Sequence, residues 1–351
     1  MTWWTGRSLR SCASTSGNKE TKQTQFAMTS RDRIHAAIAG KPVDRVPIAF
    51  WRHFPGDDQR AESLAAAHVN FQKKYQWDVL KVTPASGYYG DDWGLRAGYK
   101  PNREGTRHYT DRPIKKPADW SRLKPLDVTA GVYGRELHAL RLIRDALPEP
   151  LILSTVFSPL TIAGTLSGPE ASLRYLREDP DELHRGLERI TDVTARFAAE
   201  TLAAGADGIF FATAAATTGY LHVEEYAEFG RPYDLRVLEA AAGSELRILH
   251  IHGIGIMFDQ LTDYPVDAIN WHDRRTAPTL SEARHRFSGC LAGGINELTS
   301  LSSGTPEQVA AEVRDAIAQT GGTRHIVAAG CTIPIDITED RIRAVRAALE
   351  K

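Results

Sequence analysis

Two histidines and one cysteine have side chains and a spacing suited to binding a transition metal. His250 and His252 are separated by one residue at the end of an apolar run, and Cys331 follows another apolar run. Residues two apart on a β-strand point to the same face, so both imidazoles can face one site. Imidazole and thiolate are donors that zinc prefers, and three protein donors leave a fourth position open for catalysis. The pattern predicts a zinc site, while satisfied buried histidines and a buried cysteine remain the structural alternative.

Other polar residues that could bind or protonate a substrate also follow apolar runs. Arg52 has a planar guanidinium suited to a carboxylate or phosphate, and His53 comes next to it. His272 and Asp273 could act as a general acid–base pair. Asn296 follows two glycines that permit close approach of a ligand to the backbone. Each of these residues also fits a solvated charged loop or a tight turn, so the sequence leaves both interpretations open.

Eight short apolar runs are spaced along the chain, and each is followed by a helical pattern. They are 46–50, 79–82, 151–156, 208–212, 247–251, 268–271, 290–293 and 325–328. Alternating strands and helices imply parallel pairing, and eight such units predict a single (β/α)8 barrel. The residues above would then meet at the C-terminal ends of the strands, where such barrels place their active sites.

The helical patterns are equally distinct. Thr29 and Ser30 can cap a first helix, and longer amphipathic patterns follow. These patterns cover 31–39, 61–75, 133–147, 181–204, 223–242, 306–319 and 339–350, with short helices near 257–261 and 280–286.

A long excursion, from Gly87 to Asp127, separates the second and third predicted strands. It contains Tyr88 and Tyr89 near its start. A loop of this length in a compact domain is usually functional. We therefore expect it to cover the mouth of the barrel, with the two tyrosines against the substrate.

The composition bounds the class of protein. The 351 residues are 42% hydrophobic and 25% charged, with a net charge of −1 and three cysteines. No basic excess indicates a nucleic-acid partner, and no apolar run approaches the roughly 18 residues of a membrane span. Three scattered cysteines are typical of a reducing compartment. We expect a cytoplasmic enzyme that acts on a small molecule.

The first segment, 1–27, lacks apolar periodicity and is rich in Ser, Thr, Gly and Lys. Three interpretations compete for it: a disordered tail, a start codon misassigned upstream of Met28, and an organellar presequence. The domain itself is predicted to span 28–351.

Several motifs resemble those of the uroporphyrinogen decarboxylase superfamily. They are Arg31-Asp-Arg-Ile with Gly40-Lys-Pro-Val-Asp-Arg-Val-Pro47, Ala203-Ala-Gly-Ala-Asp207, Glu225-Tyr-Ala-Glu-Phe229 with Pro232-Tyr233, His250-Ile-His-Gly253, and Ala329-Gly-Cys-Thr-Ile-Pro334 with Ile337-Thr-Glu-Asp340. The resemblance extends from Met28 to the end of the chain. It implies a TIM barrel, often a homodimer, with one of at least two chemistries.

One chemistry of the superfamily is the metal-free decarboxylation of a porphyrinogen. The resemblance matches Arg52 to an arginine of those enzymes. The positions of their Asp, Tyr and His residues fall near Ala85 or Ser86, near Thr165, and at Cys331. A metal-free decarboxylase of uroporphyrinogen or another carboxylic acid is therefore an alternative that lacks most of its expected groups.

The other chemistry is zinc-dependent methyl transfer between a corrinoid protein and a thiol or folate. The resemblance implies zinc ligands at His250, His252 and Cys331, with His252 standing where that branch has cysteine. Arg52, His53, Tyr88, Tyr89 and Asn296 would bind substrate, and His272 and Asp273 would be catalytic. Zinc-dependent methyl transfer is the main prediction, and a non-catalytic tetrapyrrole- or corrinoid-binding protein is a third alternative.

Overall fold

The structure is a computed structural model that describes residues 27–350. The three interpretations of segment 1–27 concern a stretch that, except for Ala27, lies outside the described residues. Between residues 27 and 350 the chain contains no helix that is long and apolar enough to cross a membrane.

The strands confirm the predicted barrel. They are β1 Ile48–Ala49, β2 Val79–Val82, β3 Arg96–Tyr99, β4 Arg107–Asp111, β5 Leu151–Phe157, β6 Gly208–Thr213, β7 Leu246–Ile251, β8 Ala268–Trp271, β9 Cys290–Ile295 and β10 His325–Ala329. Eight of them form one parallel sheet in the order β1-β10-β9-β8-β7-β6-β5-β2, and β3 and β4 form a separate hairpin. All eight predicted runs are barrel strands.

Helices surround the sheet. They are α1 Ser30–Ile38, α2 Ala61–Tyr75, α3 Gly131–Ala146, α4 Pro159–Ser167, α5 Pro169–Glu178, α6 Pro180–Ala203, α7 Val223–Phe229, α8 Arg231–Ala240, α9 Leu280–Ala283, α10 Ser300–Ser303, α11 Pro306–Thr320 and α12 Glu339–Leu349. The Thr29 side chain caps α1 by accepting a hydrogen bond from the Asp32 amide. Ser30 is the first helical residue.

One predicted helix is wrong, and helices α4, α5 and α10 were not predicted. The single helix expected over 223–242 is broken at Gly230, because Pro232 has no amide hydrogen to continue the helical bonding of the preceding turn. Helices α4 and α5 lie in a stretch for which we predicted no helix, and each begins with a proline. They lie on either side of Gly168, which adopts a positive φ of 95°.

The barrel interior is filled by alternate residues of the strands. Val79, Leu153, Phe210 and Ile248 belong to one interior cluster, whereas their chain neighbours pack outward against the helices. This alternation follows from the two-residue repeat of a strand. Continued along β7, it turns His250 toward the interior.

A buried carboxylate joins β1 to β2, the two strands at the ends of the sheet order. The Asp78 carboxylate accepts a hydrogen bond from the Ile48 amide (2.8 Å), and the Asp78 amide donates to the Ile48 carbonyl (2.9 Å). The same carboxylate pairs with Arg33 at 2.5 Å and with Arg45 at 2.7 Å. Asp78 therefore connects the seam of the barrel to α1 and to the loop that precedes β1.

The excursion between β2 and the next barrel strand, β5, is folded rather than irregular. Its start forms a 3₁₀ helix over Tyr88–Trp93, the β3–β4 hairpin follows, and a second 3₁₀ helix covers Pro117–Arg122. Arg103 in the hairpin loop pairs with Asp336 at 2.7 Å. This contact fastens the hairpin to the loop after β10, at the mouth of the barrel.

Candidate metal centre and active site

A cavity of about 500 Å³ opens at the C-terminal ends of the barrel strands. Trp51, Thr155 and Phe210 contribute to its wall, and His250 and His252 reach it from the end of β7. The tip of the β3–β4 hairpin contributes Glu104 and Thr106. The cavity therefore lies where the barrel fold predicts an active site.

Four metal-binding side chains converge in this cavity. The donor atoms of His250, His252, His272 and Cys331 all lie within 4.8 Å of one another. Cys331 Sγ is 3.7 Å from His250 Nε2 and 3.6 Å from His252 Nδ1, and His272 Nε2 is 3.4 Å from His252 Nδ1. We call this group the donor cluster.

The side chain of Asn270 fixes the orientation of His250. Its amide nitrogen donates to the carbonyls of Ala292 (2.8 Å) and Ala329 (3.0 Å), so its oxygen must face the other way. That oxygen lies 2.7 Å from His250 Nδ1, which therefore carries the proton. The lone pair of His250 is then on Nε2, which points to Cys331.

Glu297 orients His272 in the same way. Its carboxylate lies 3.0 Å from His272 Nδ1 and 3.6 Å from the guanidinium of Arg275. A carboxylate that accepts the Nδ1 proton leaves the Nε2 lone pair facing the donor cluster. Glu297 is 2% exposed, so solvent competes little with this contact.

The electrostatics of the cluster favour a thiolate. Burial by itself would raise the pKa of the Cys331 thiol, but His250 and His252, when their rings are protonated, lower that pKa well below its ordinary value, and a metal ion supplies the same positive charge when the rings are neutral. The bond to Cys331 raises the pKa of His252, whereas burial lowers the pKa of His250. Gly330 allows this close approach, since a Cβ there would lie only 2.8 Å from the His272 Cα.

His53 lies in the cavity, as predicted for a substrate-binding residue. Its Nδ1 is 3.1 Å from the Pro84 carbonyl oxygen, which can only accept a hydrogen bond. Nδ1 therefore carries the proton, and Nε2 carries the lone pair. Burial lowers the pKa of His53 to about 4. The ring is therefore neutral near pH 7.

Four of the predicted site residues do not line the cavity, and three of them lie at the ends of barrel strands. The Arg52 guanidinium donates to the Ile335 carbonyl at 3.1 Å and packs over the ring of Phe54. Asp273 accepts a hydrogen bond from the Gly294 amide at 3.0 Å, and burial raises its pKa to about 7. The Asn296 oxygen accepts hydrogen bonds from two amides that follow it in the chain. Each is a chain neighbour of a residue that does face the cavity, so its side chain points away.

The two tyrosines of the excursion are separated. Tyr88 is buried between α3 and α6, where it contacts Tyr133 and Phe197, and its hydroxyl donates to the Thr155 carbonyl at 2.9 Å. Tyr89 lines the cavity and its hydroxyl lies 3.0 Å from Thr165 Oγ1. The expectation that both cover the mouth is corrected: Tyr88 belongs to the core, and the hairpin provides the cover.

Several cavity residues were not predicted. Lys81 is the most informative of them, because a lysine in the run Val79-Leu-Lys-Val82 is an anomaly in a fully buried strand. Glu297, which lines the cavity, and Asn270, which contacts His250, were not predicted because their roles depend on contacts between neighbouring strands. The amino-acid sequence alone does not indicate which side chains on neighbouring strands will be in contact.

Comparison with known proteins identifies one family, whose members similar to this chain are named for two different activities. Residues 54–351 match the profile of the family described as Uroporphyrinogen decarboxylase (URO-D). A methylated-thiol–coenzyme M methyltransferase of Methanosarcina mazei is 24% identical over 92% of this chain and 90% of its own length. A uroporphyrinogen decarboxylase of Mycolicibacterium paratuberculosis is 25% identical over 76% of this chain and 80% of its own length.

Solved structures agree on the fold. A methyltransferase from Methanosarcina mazei superposes with a TM-score of 0.81 at 19% identity, covering 92% of this chain and 98% of its own. A B12-independent methionine synthase from Shewanella superposes with a TM-score of 0.58 at 16% identity, covering 88% of this chain and 94% of its own. At these identities the likeness concerns the barrel alone.

Proposed function

Because the chain belongs to the uroporphyrinogen decarboxylase family, we propose that it is a zinc-dependent methyltransferase acting between a corrinoid and a small thiol. In this reaction the thiol sulfur gains the methyl group and loses its proton, while the corrinoid cobalt keeps the electron pair. The observation that carries the proposal is the donor cluster, with one sulfur and three nitrogens at the mouth of the barrel.

The geometry of the cluster fits zinc. Bond lengths of about 2.0 Å to nitrogen and about 2.3 Å to sulfur imply tetrahedral edges of roughly 3.3 Å between nitrogens and roughly 3.6 Å between nitrogen and sulfur. Three of the six separations are close to these values, at 3.4 Å between the His252 and His272 nitrogens and 3.6 and 3.7 Å from nitrogen to sulfur, and all six are within 4.8 Å, so small side-chain movements would close the site on a zinc ion. Hydrogen bonds from Asn270 and Glu297 supply the outer contacts that zinc-binding histidines usually have.

His250, His252 and Cys331 would hold the metal, and we assign His272 to the fourth position, which the substrate thiol would take over when it binds. Its Nδ1 is engaged by Glu297 and its Nε2 faces His252, so it has no free nitrogen for proton transfer to a distant substrate atom. Zinc bound here would favour the thiolate form of a bound thiol, which is the stronger nucleophile. The aromatic wall formed by Trp51, Phe157 and Phe210 would exclude water from the sulfur.

The mouth of the cavity suits a large methyl donor held by a partner protein. Ile254 and Leu298 both line the cavity and are 52% and 41% exposed, so two apolar side chains are open to solvent at its entrance. A partner that covers the entrance would bury them. Relatives named methylcobamide:CoM methyltransferases, such as that of Methanosarcina acetivorans at 22% identity, support a corrinoid in this role.

The metal-free decarboxylase alternative has less support. The positions that the resemblance matched to its Asp, Tyr and His residues are Ala85 or Ser86, Thr165 and Cys331, and all of them line the cavity. None carries a carboxylate or an imidazole. Arg52, its remaining match, points away from the cavity to the Ile335 carbonyl.

The test compares metal content with activity. Protein purified without a metal-chelating tag is expected to contain about one zinc per chain and to transfer methyl from methylcobalamin to a small thiol. Cys331→Ala should lose both the zinc and the activity. Cys290→Ala is the matched control, because Cys290 is buried in the barrel interior away from the cluster.

Two results would overturn the proposal. One is a fully active protein that holds no metal after zinc is supplied. The other is release of carbon dioxide from uroporphyrinogen at an unchanged rate in Cys331→Ala. Absorbance shifts with a corrinoid but no turnover with any thiol would favour the non-catalytic binding protein instead.

A further inference from the structure

Lys81 is a buried cation inside the barrel. It lies on β2 two residues after Val79, whose side chain is in the interior cluster, and it is 5% exposed. Its Nζ lies 3.2 Å from Thr83 Oγ1 and 4.8 Å from the centre of the Phe210 ring. Both neighbours also line the cavity.

No carboxylate neutralises this ammonium group. Within residues 27–350, no Asp or Glu oxygen lies within ion-pair distance of Lys81 Nζ. Other buried cations are paired: Arg33 binds Asp44 and Asp78, and Arg107 binds Asp91. Burial lowers the pKa of Lys81 to about 7, and the charge of the Cys331 thiolate works in the opposite direction. A cation with no carboxylate partner is costly to bury, so packing alone does not account for a lysine at this position.

The position of Lys81 relates it to the donor cluster. The ring of Phe210 lies 4.8 Å from the ammonium of Lys81 and also stacks on the ring of His250, with 5.5 Å between ring centres. The ammonium and the donor cluster therefore share Phe210 as a neighbour and line the same cavity. A short molecule could place one end at each.

We propose that Lys81 binds an anionic group of the substrate, a carboxylate or a sulfonate, while the other end of the substrate lies at the donor cluster. This inference rests on the proposed function only in naming a thiol for that other end. The ammonium supplies the charge, Thr83 holds Nζ in place, and the Phe210 ring keeps the site apolar so that the ion pair is little screened. Lys81 is then the residue of this chain that selects a substrate with a charged end over a neutral one.

Arg275 is the competing cation, and it serves as the matched comparison. It also lines the cavity, but its side chain is 35% exposed and it lies 3.6 Å from Glu297. Its charge is therefore already neutralised by a buried carboxylate. Lys124 is exposed on the surface and provides a variant with the same change in net charge.

The experiment measures the binding of two probes of equal length by calorimetry near pH 6. The probes are 3-mercaptopropionate and its neutral counterpart 3-mercaptopropionamide. A third compound, 3-mercaptopropanesulfonate, shows whether the site binds a sulfonate or a carboxylate more tightly. Wild type is expected to bind at least one of the acids about tenfold or more tightly than the amide. Lys81→Met should abolish that preference, whereas Arg275→Met and Lys124→Met should keep it.

Measurements on zinc-loaded and on metal-depleted protein separate the two proposals. The tighter binding of the acid than of the amide should persist without metal. The role of Lys81 can therefore be measured even if the protein binds no zinc. The urea midpoint of Lys81→Met should equal or exceed that of wild type, because the variant removes an unpaired buried charge. Equal binding of acid and amide by wild type, loss of the preference only in Arg275→Met, or a lower urea midpoint of Lys81→Met would overturn the assignment.

Discussion

Asn270 Oδ1 lies 2.7 Å from His250 Nδ1, and this contact determines which nitrogen of His250 is available to a metal. The amide cannot rotate to reverse the contact, because its nitrogen is held by two backbone carbonyls on β9 and β10. An uncharged side chain in the next strand thus sets the tautomer of a donor residue. In the register of β7 and β8 the two residues are direct partners.

Removing this contact should weaken metal binding without removing a donor atom. Asn270→Ala is expected to lower the zinc affinity by roughly 10- to 100-fold, because the His250 ring loses both its tautomer and its orientation. Competition with a chromophoric chelator measures the change. Asn296→Ala is the control, since the side chain of Asn296 bonds only to amides of its own loop, and an equal loss in that variant would contradict the prediction.

His272 and Glu297 should contribute to metal binding in a fixed order. His272→Ala removes a donor atom, whereas Glu297→Gln keeps a hydrogen-bond acceptor for Nδ1 and loses only the charge. We therefore expect a larger loss of zinc affinity in His272→Ala than in Glu297→Gln. The spectrum of the cobalt-substituted protein should change in the His272 variant, because one nitrogen donor is replaced. An unaltered spectrum would remove His272 from the donor set and return it to proton transfer.

The barrel could be predicted from the sequence because its strands are continuous apolar runs, which is the pattern of parallel strands buried on both faces. It was harder to predict which of two neighbouring side chains at the end of a strand faces the cavity. Arg52 and His53 were both predicted to bind substrate, yet only His53 lines the cavity. Asp273 was paired with His272 in the same manner, and only His272 is in the donor cluster. Strict use of the two-residue alternation would have separated these neighbours.

Other parts of the site depend on contacts that the sequence does not reveal. The sequence predicts Asn296 rather than Glu297 as a site residue, because only the fold shows that the Glu297 carboxylate reaches His272 at the end of the adjacent strand. The helix break at Gly230 was hidden because the apolar pattern continues through it from α7 into α8. The sequence predicts Tyr88 at the mouth because the residue lies in a long excursion. Its packing against Tyr133 and Phe197 is visible only in the fold.

The seam of the barrel should be a sensitive point for stability. Asp78→Ala removes the acceptor of the Ile48 amide and leaves Arg33, which is nearly buried, without one of its two carboxylates. Breaking a buried charge pair from one side typically costs about 3–5 kcal/mol, and we expect a loss of that size in the free energy of unfolding by urea. Asp336→Ala breaks an exposed pair with Arg103 and should cost at most about 1 kcal/mol. Equal losses in both variants would show that Asp78 has no special role.

A buried carboxyl group on α8 should make stability depend on pH. Asp234 is fully buried, and burial raises its pKa from 3.8 to about 6, although hydrogen bonds from the hydroxyls of Tyr226 and Tyr264 work in the opposite direction. A carboxyl group with a raised pKa in the folded state destabilises that state as the pH rises from its unfolded pKa to its folded pKa. Its contribution is therefore most favourable below pH 4, and it is lost between about pH 4 and pH 6.

The variant Asp234→Asn removes this titration and tests its sign. Relative to wild type, its free energy of unfolding should rise by up to about 3 kcal/mol between pH 4 and pH 7, since each unit of pKa is worth about 1.4 kcal/mol. Tyr226→Phe removes a donor to the Asp234 carboxylate and should move the loss of stability to higher pH. Urea unfolding of the three proteins across this range measures both effects. A difference between Asp234→Asn and wild type that does not change with pH would mean that Asp234 has the same pKa in both states, because linkage permits no pH dependence without a shift.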